Sequence, residues 1–278
     1  MATELELGAT TFDVANRAIV MGILNRTPDS FYDRGSYYDF DGFLRKAEAL
    51  VAEGADVLDV GGVKAGPGPE VDEREELDRV VPAIEALHSR FDVALSVDTW
   101  RASVAAASFE AGACVGNDIS GFVDPDYLAV CAAAEASVVA THIRLRPRIA
   151  DPSPAYGDVV ATVRQFLGER AARAEAAGIA RSRIMVDAGL DLGKTEAQSL
   201  RLLRASDDLV ELGYPVLLSA SNKRFLGALL ATDIDDRRDA TNAAHAMGIA
   251  LGCRVVRAHD VRAARRIADT MARILAAA

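Results

Sequence analysis

The side chains in this chain best equipped for chemistry share one setting. Asn25, Asp59, Asp98, Asn117, His142, Asp187, Lys223, Arg257 and His259 each stand at or just past the end of a short apolar run. Carboxylates accept hydrogen bonds from ring N–H groups, and an asparagine amide both donates and accepts. Such a set matches a flat, nitrogen-rich heterocycle. Lys223, Arg257 and His259 add positive charge, which an acidic chain gathers for an anion such as a phosphate or diphosphate. A carboxylate closing an apolar strand is costly to desolvate and needs a partner from protein or ligand. Asp98 and Asp187 are therefore the hardest to read as incidental. Asp59 reads equally well as a ligand or as a support for the Gly61-Gly62 turn. Asn117 also suits an Asx-type turn. His142 by itself is more often a satisfied structural histidine, and His88 and His245, in helical segments, are given no role.

The elements that carry these residues alternate. A weakly alternating stretch, 3–17, with turn signals at Gly8 and Asn16, predicts a short hairpin over one end of the core. The apolar run 18–24 predicts a strand buried on both faces. The loop behind it offers Asn25, Thr27, Asp29 and Ser30, stiffened by Pro28. Helical patterning is predicted over 39–52, 71–90, 100–111, 125–134, 156–177, from about Thr195 to Leu212, over most of 224–251, and after Asp260. Strands are predicted over 55–60, 93–97, 114–116, 137–140, 183–186, 214–218 and 254–256. Between them lie a Gly/Pro-rich loop, 61–69, and a basic Pro-containing loop, 144–153. This strict alternation, with no linker or composition shift, fits a (β/α)8 TIM barrel with a short N-terminal hairpin, one domain over 1–278. An open doubly wound sheet should carry a Gly-rich fingerprint after its first strand, and 25–31 has none. In such a barrel the nine residues converge at the carboxyl ends of the strands.

Composition bounds the partners. The 278 residues are half hydrophobic, with a formal net charge of -10 and a pI near 5.0. An acidic surface argues against non-specific nucleic-acid binding and against anionic membranes. No apolar run approaches a membrane span, and the acidic N-terminal stretch does not read as a signal peptide. Cys114, Cys131 and Cys253, an odd number in Ala- and Val-rich surroundings, predict buried thiols of a reducing cytoplasm.

The residues also carry a resemblance. The motifs M-G-I-L-N-x-T-P-D-S-F, G-A-D-V-L-D-V-G-G, S-V-D-T, N-D-I-S-G, D-x-G-x-x-x-G-K-T, S-x-K and R-x-H-D-V run in this order from Met21 to Val261. Together they resemble dihydropteroate synthase, over essentially the whole chain. The resemblance implies a barrel, usually a homodimer, that binds 6-hydroxymethyl-dihydropterin diphosphate and p-aminobenzoate with Mg2+ in folate biosynthesis. Diphosphate leaves, and the aniline nitrogen intercepts the pterin-methyl cation. Carried to matching positions, it implies that Asp98, Asn117, Asp187, Lys223 and Arg257 bind the pterin. Asn25, Arg257 and His259 fall on the diphosphate, with Asn25 also at the metal. Ser221 falls near p-aminobenzoate. Asp98 and Lys223 are the implied catalytic groups, Asp98 by stabilising the cation electrostatically.

The pattern breaks in one place above all. Where the family reads G-G-E-S-T-R-P-G, this chain reads Gly61-Gly-Val-Lys-Ala-Gly-Pro-Gly68. Thr and Arg, which close over the diphosphate and help form the p-aminobenzoate site, become Ala65 and Gly66. Losing a charge-assisted bond removes roughly 1.5–3 kcal/mol, and more if the bond acts only in the transition state. Lys64 supplies a point charge rather than a fork. Asn222 replaces another arginine, Leu192 an aromatic, and Asp191 adds a charge; Ser219 replaces a glycine, and Arg26 is basic where the family is usually neutral. These departures predict a synthase-like protein that keeps a pterin pocket and has lost or nearly lost condensation. The alternatives are an active synthase with a remodelled loop and, behind both, a pterin-binding methyltransferase.

Overall fold

The computed structural model describes residues 3–27 and 40–277. Pro28, Asp29 and Ser30, read above as part of the first loop, lie outside the described residues. Strands β1 (Glu4–Leu7) and β2 (Thr10–Asp13) form an antiparallel hairpin. Alternation follows: β3 (Ile19–Asn25), α1 (Phe40–Ala52), β4 (Val57–Gly61), α2 (Glu73–His88), β5 (Ala94–Asp98), α3 (Ala102–Glu110), β6 (Val115–Asp118), α4 (Tyr127–Ala133), β7 (Ser137–Thr141), α5 (Val159–Ala176) and β8 (Ile184–Asp187). The chain continues through α6 (Glu196–Arg204), α7 (Ser206–Val210), β9 (Val216–Leu218), α8 (Arg224–Leu230), α9 (Arg238–Ala250), β10 (Val255–Ala258) and α10 (Val261–Ala276). Strands β3 to β10 pair in parallel and close into a barrel in the order β10-β3-β4-β5-β6-β7-β8-β9.

Period-two alternation sorts the strand residues into two apolar layers. Ile19, Met21, Val57, Val115, Val139, Met185, Leu217 and Val255 form one buried cluster with Leu5, Leu7 and Val14. This is the barrel interior, plugged at its amino end by the hairpin. Their strand neighbours Val20, Leu58, Val138, Val186, Leu218 and Val256 belong to a separate cluster against the helices. On four strands, the residue two beyond an interior residue puts a polar side chain near the carboxyl end on the same face. Val57 leads to Asp59, Val115 to Asn117, Met185 to Asp187 and Val255 to Arg257. The barrel is thus greasy below and polar above.

Two helical expectations change. The helix expected to run to Leu212 breaks at Ala205 into α6 and α7, where the Ser206 hydroxyl donates to the Leu203 carbonyl at 2.8 Å. The pattern over 224–251 is interrupted because Ala231 turns left-handed at φ 51°, ending α8 before a 3-10 turn at Ile234–Asp236. Periodicity survives both breaks because the apolar face continues across them.

Candidate functional site

Arg257, at the end of β10, organises the barrel mouth. Its Nε donates to Asp59 Oδ2 at 2.6 Å and its Nη2 to Asp98 Oδ2 at 2.9 Å. Asp59 is fully buried and also accepts from Ser96 Oγ at 2.6 Å and from Asn117 Nδ2 at 3.2 and 3.3 Å. The aspartate bonds to side chains of other strands and not to the Gly61-Gly62 turn. It is the floor that orients Arg257 and Asn117. Period two was the available signal, since Asp59 shares its strand face with Val57.

Asp98, Asn117, Asp187, Lys223 and Arg257 line one cavity of about 60 Å3, with Ala65, Ile119, Thr141, Leu192 and Ser219. Burial pushes the Asp98 carboxyl up to about 7, against the pull of Arg257 and with the added push of Asp59. Burial raises Asp187 too, while the Gly189 amide, 2.7 Å away, and Lys223 draw it down. Burial lowers Lys223, which Asp187 and Asp191 hold up. The cavity thus joins carboxylates that burial discourages from ionising to a lysine that burial discourages from holding its charge, a set with both donors and acceptors for the edges of a ring.

Asn25, Ser221 and His259 do not line this cavity. A Cβ added at Gly61 would lie 3.4 Å from both Asn25 Oδ1 and Asp98 Cβ, so Asn25 and Asp98 flank Gly61 on the two neighbouring strands. Ser221 Oγ and His259 Nδ1 are 2.9 Å apart, and the His259 amide donates to the same hydroxyl at 3.1 Å. Burial, followed by the charges of Arg257, Lys46 and Lys223, pushes His259 down to about 4. At neutral pH, with these cations around it, the ring is neutral. Arg26 is buried, its guanidinium stacked 5.1 Å from the ring centres of both Phe40 and Phe43.

One basic residue escaped the sequence reading. Lys194 is buried, and its Nζ lies 2.9 Å from His142 Nδ1 and donates to the carbonyls of Gly189 (2.8 Å), Leu192 (3.0 Å) and His142 (3.2 Å). Burial also lowers Lys194, to about 7, and its three N–H groups are shared among these four neighbours. Burial first, then Lys194, pushes His142 down to about 3. The imidazole packs edge-on against Phe166 at 4.8 Å. His142 is structural, and with Lys194 it moulds the loop that carries Leu192 into the cavity. Gly189 has φ +64°, and an added Cβ would fall 2.0 Å from the His142 carbonyl, so only glycine fits that turn. Asp191, the extra charge, accepts from the Arg224 amide at 2.5 Å and so joins the same loop to the start of α8.

At the second loop, Ala65 reaches the cavity wall without a polar group, and a Cβ added at Gly66 would meet nothing within 4 Å. Beyond Ala65, Leu192 and Lys223 opens a groove of about 680 Å3, lined among others by Pro67, Leu145, Ile149 and Phe225.

An eight-stranded parallel barrel with this polar mouth defines a class, and the family described as pterin binding enzyme matches residues 21–259. The chain belongs to the dihydropteroate synthase family of pterin-binding enzymes. It is 45% identical to the inactive dihydropteroate synthase 2 of Mycobacterium leprae, with 94% of this chain and 91% of that protein covered. To the dihydropteroate synthase of Synechocystis sp. it is 40% identical, covering 95% and 92% respectively. The crystal structure of the Xanthomonas albilineans dihydropteroate synthase with 4-aminobenzoic acid superposes with a TM-score of 0.92 at 36% identity, covering 100% of both chains.

Proposed function

We propose that this chain is one pterin-binding domain that holds a pterin between Asp98, Asn117, Asp187, Lys223 and Arg257, and condenses it with p-aminobenzoate slowly or not at all. One observation carries the reading. The polar ring converges on a single cavity, while the adjoining loop presents Ala65 and Gly66 where the second substrate should be gripped. The 45% identity to a protein named inactive supports it. At about 60 Å3 the cavity has room for about two waters. A bicyclic heterocycle needs more room than that, and Ala65, Leu192 and Lys223 line both this cavity and the larger groove beyond it. Asp98 and Lys223 are the residues placed for catalysis if any rate remains.

The diphosphate end is weaker than the pterin end. Arg257 already serves two carboxylates and His259 is neutral, so a diphosphate gains less charge here than the residue types promise. Mg2+ is compatible with Asn25, which offers a hard amide oxygen over Gly61, across from Asp98, and magnesium commonly takes one or two protein oxygens with waters and substrate phosphates. When bound it would neutralise phosphate charge; Asn25 would position it. Among the described residues no helix is long and apolar enough to cross a membrane. The three free cysteines support a cytoplasmic setting. Exposed Leu229, Leu230, Ile234 and Met247, on α8, the turn after it and α9, support a homodimer.

The competing reading is a working synthase with a remodelled loop, favoured by retention of the whole polar ring. Purified protein given pterin diphosphate and p-aminobenzoate decides between them. Little or no diphosphate release is expected, with calorimetric binding of a pterin alone; steady turnover rejects the proposal, and absence of pterin binding removes its first half.

A further inference from the structure

The second loop is held by its own carbonyls. Arg79 Nη1 donates to Gly62 O at 2.6 Å and Arg101 Nη2 to Val71 O at 2.7 Å, fastening the two ends. The middle is fastened by Arg148, from the loop between β7 and α5. Its Nη1 donates to Lys64 O at 2.9 Å, its Nη2 to Pro69 O, and its backbone N–H to Ala65 O at 3.1 Å. Arg148 reaches these acceptors from φ +69°, a left-handed conformation unfavourable for a residue with a Cβ. Gly68 makes room, since a Cβ there would lie 3.2 Å from Arg148 Nη2. The Arg148 loop is tied in turn: Arg144 pairs with Asp151, and the Tyr156 hydroxyl donates to Gly193 O at 2.7 Å. Asp191 continues the chain of ties to α8. Backbone strain kept in place by three converging bonds points to a selected geometry.

We propose that Arg148 is a positioning residue that clamps the second loop into a standing wall of the groove, so that the loop is ordered by the protein's own side chain.

Lysyl endopeptidase tests the clamp directly, because Lys64 is exposed within the fastened segment. Native-state cleavage after Lys64 should speed up about tenfold or more in Arg148→Asn, which tolerates the left-handed backbone but lacks the fork. Arg148→Lys, able to reach one carbonyl, should fall between, and the global unfolding midpoint should stay put. Equal cleavage in wild type and Arg148→Asn overturns the clamp.

Discussion

Arg257 and Asp59 meet at 2.6 Å across the barrel mouth, although their strands, β10 and β4, are separated in the sheet by β3. The guanidinium bridges over β3 to reach a carboxylate with no exposure, then extends to Asp98 on β5. One side chain thus braces three strands at the level where a ligand would sit.

Removing the buried half of this pair should be severe. Asp59→Ala leaves the Arg257 charge and the Asn117 amide short of a partner, and breaking a buried ion pair costs about 3–5 kcal/mol. Urea denaturation should show a correspondingly lower midpoint. A midpoint like wild type's would mean that Asp59 does not brace the mouth.

Ligand binding should depend on pH through Asp98, whose pKa burial raises to about 7. A heterocycle donating N–H bonds prefers the ionised carboxylate. Pterin affinity should therefore fall as pH drops below about 7, approaching tenfold per unit, and Asp98→Asn should flatten the profile. The stability sign is opposite to that of an ordinary paired carboxylate. The folded protein keeps a proton that the unfolded chain releases, so this group's contribution declines as pH rises from about 4 to about 7. Calorimetry across that range tests the first statement, and comparison of wild-type and Asp98→Asn unfolding tests the second.

His245 should be a liability. It is buried in α9 with neither ring nitrogen hydrogen-bonded, and burial pushes it down to about 4. His245→Leu should stabilise by roughly 1–3 kcal/mol, since an unsatisfied buried polar group costs about that much. The advantage should widen as pH falls from about 6.5 towards 4, because unfolded wild type then takes up a proton that its folded form refuses. Thermal unfolding at several pH values measures both, and a gap that narrows in acid would refute the assignment.

Restoring the second loop should recover chemistry unequally. Gly66→Arg meets no steric obstacle, so Ala65→Thr with Gly66→Arg should raise diphosphate release above background. Asn222→Arg should add less than its charge suggests. Asn222 sits at φ 56°, where another L-residue loses roughly 1–2 kcal/mol. Single-turnover assays of the double and triple variants check the order, and an inert double variant would place the defect elsewhere in the mouth.

By itself the sequence determined the alternation of strand and helix, the closure into a barrel and the choice of Asp98, Asn117, Asp187, Lys223 and Arg257 as neighbours. Each of these follows from apolar runs with polar ends or from motif order, which are local properties. Tertiary structure alone decided that Asp59 serves Arg257, that Lys194 moulds the Leu192 loop, that His259 is neutral, and that Arg148 clamps a loop more than 80 residues earlier in the chain. Those are pairings across the mouth and states set by burial. A chain written in one dimension records which groups exist but not which acceptor each donor reaches or how much water each has lost.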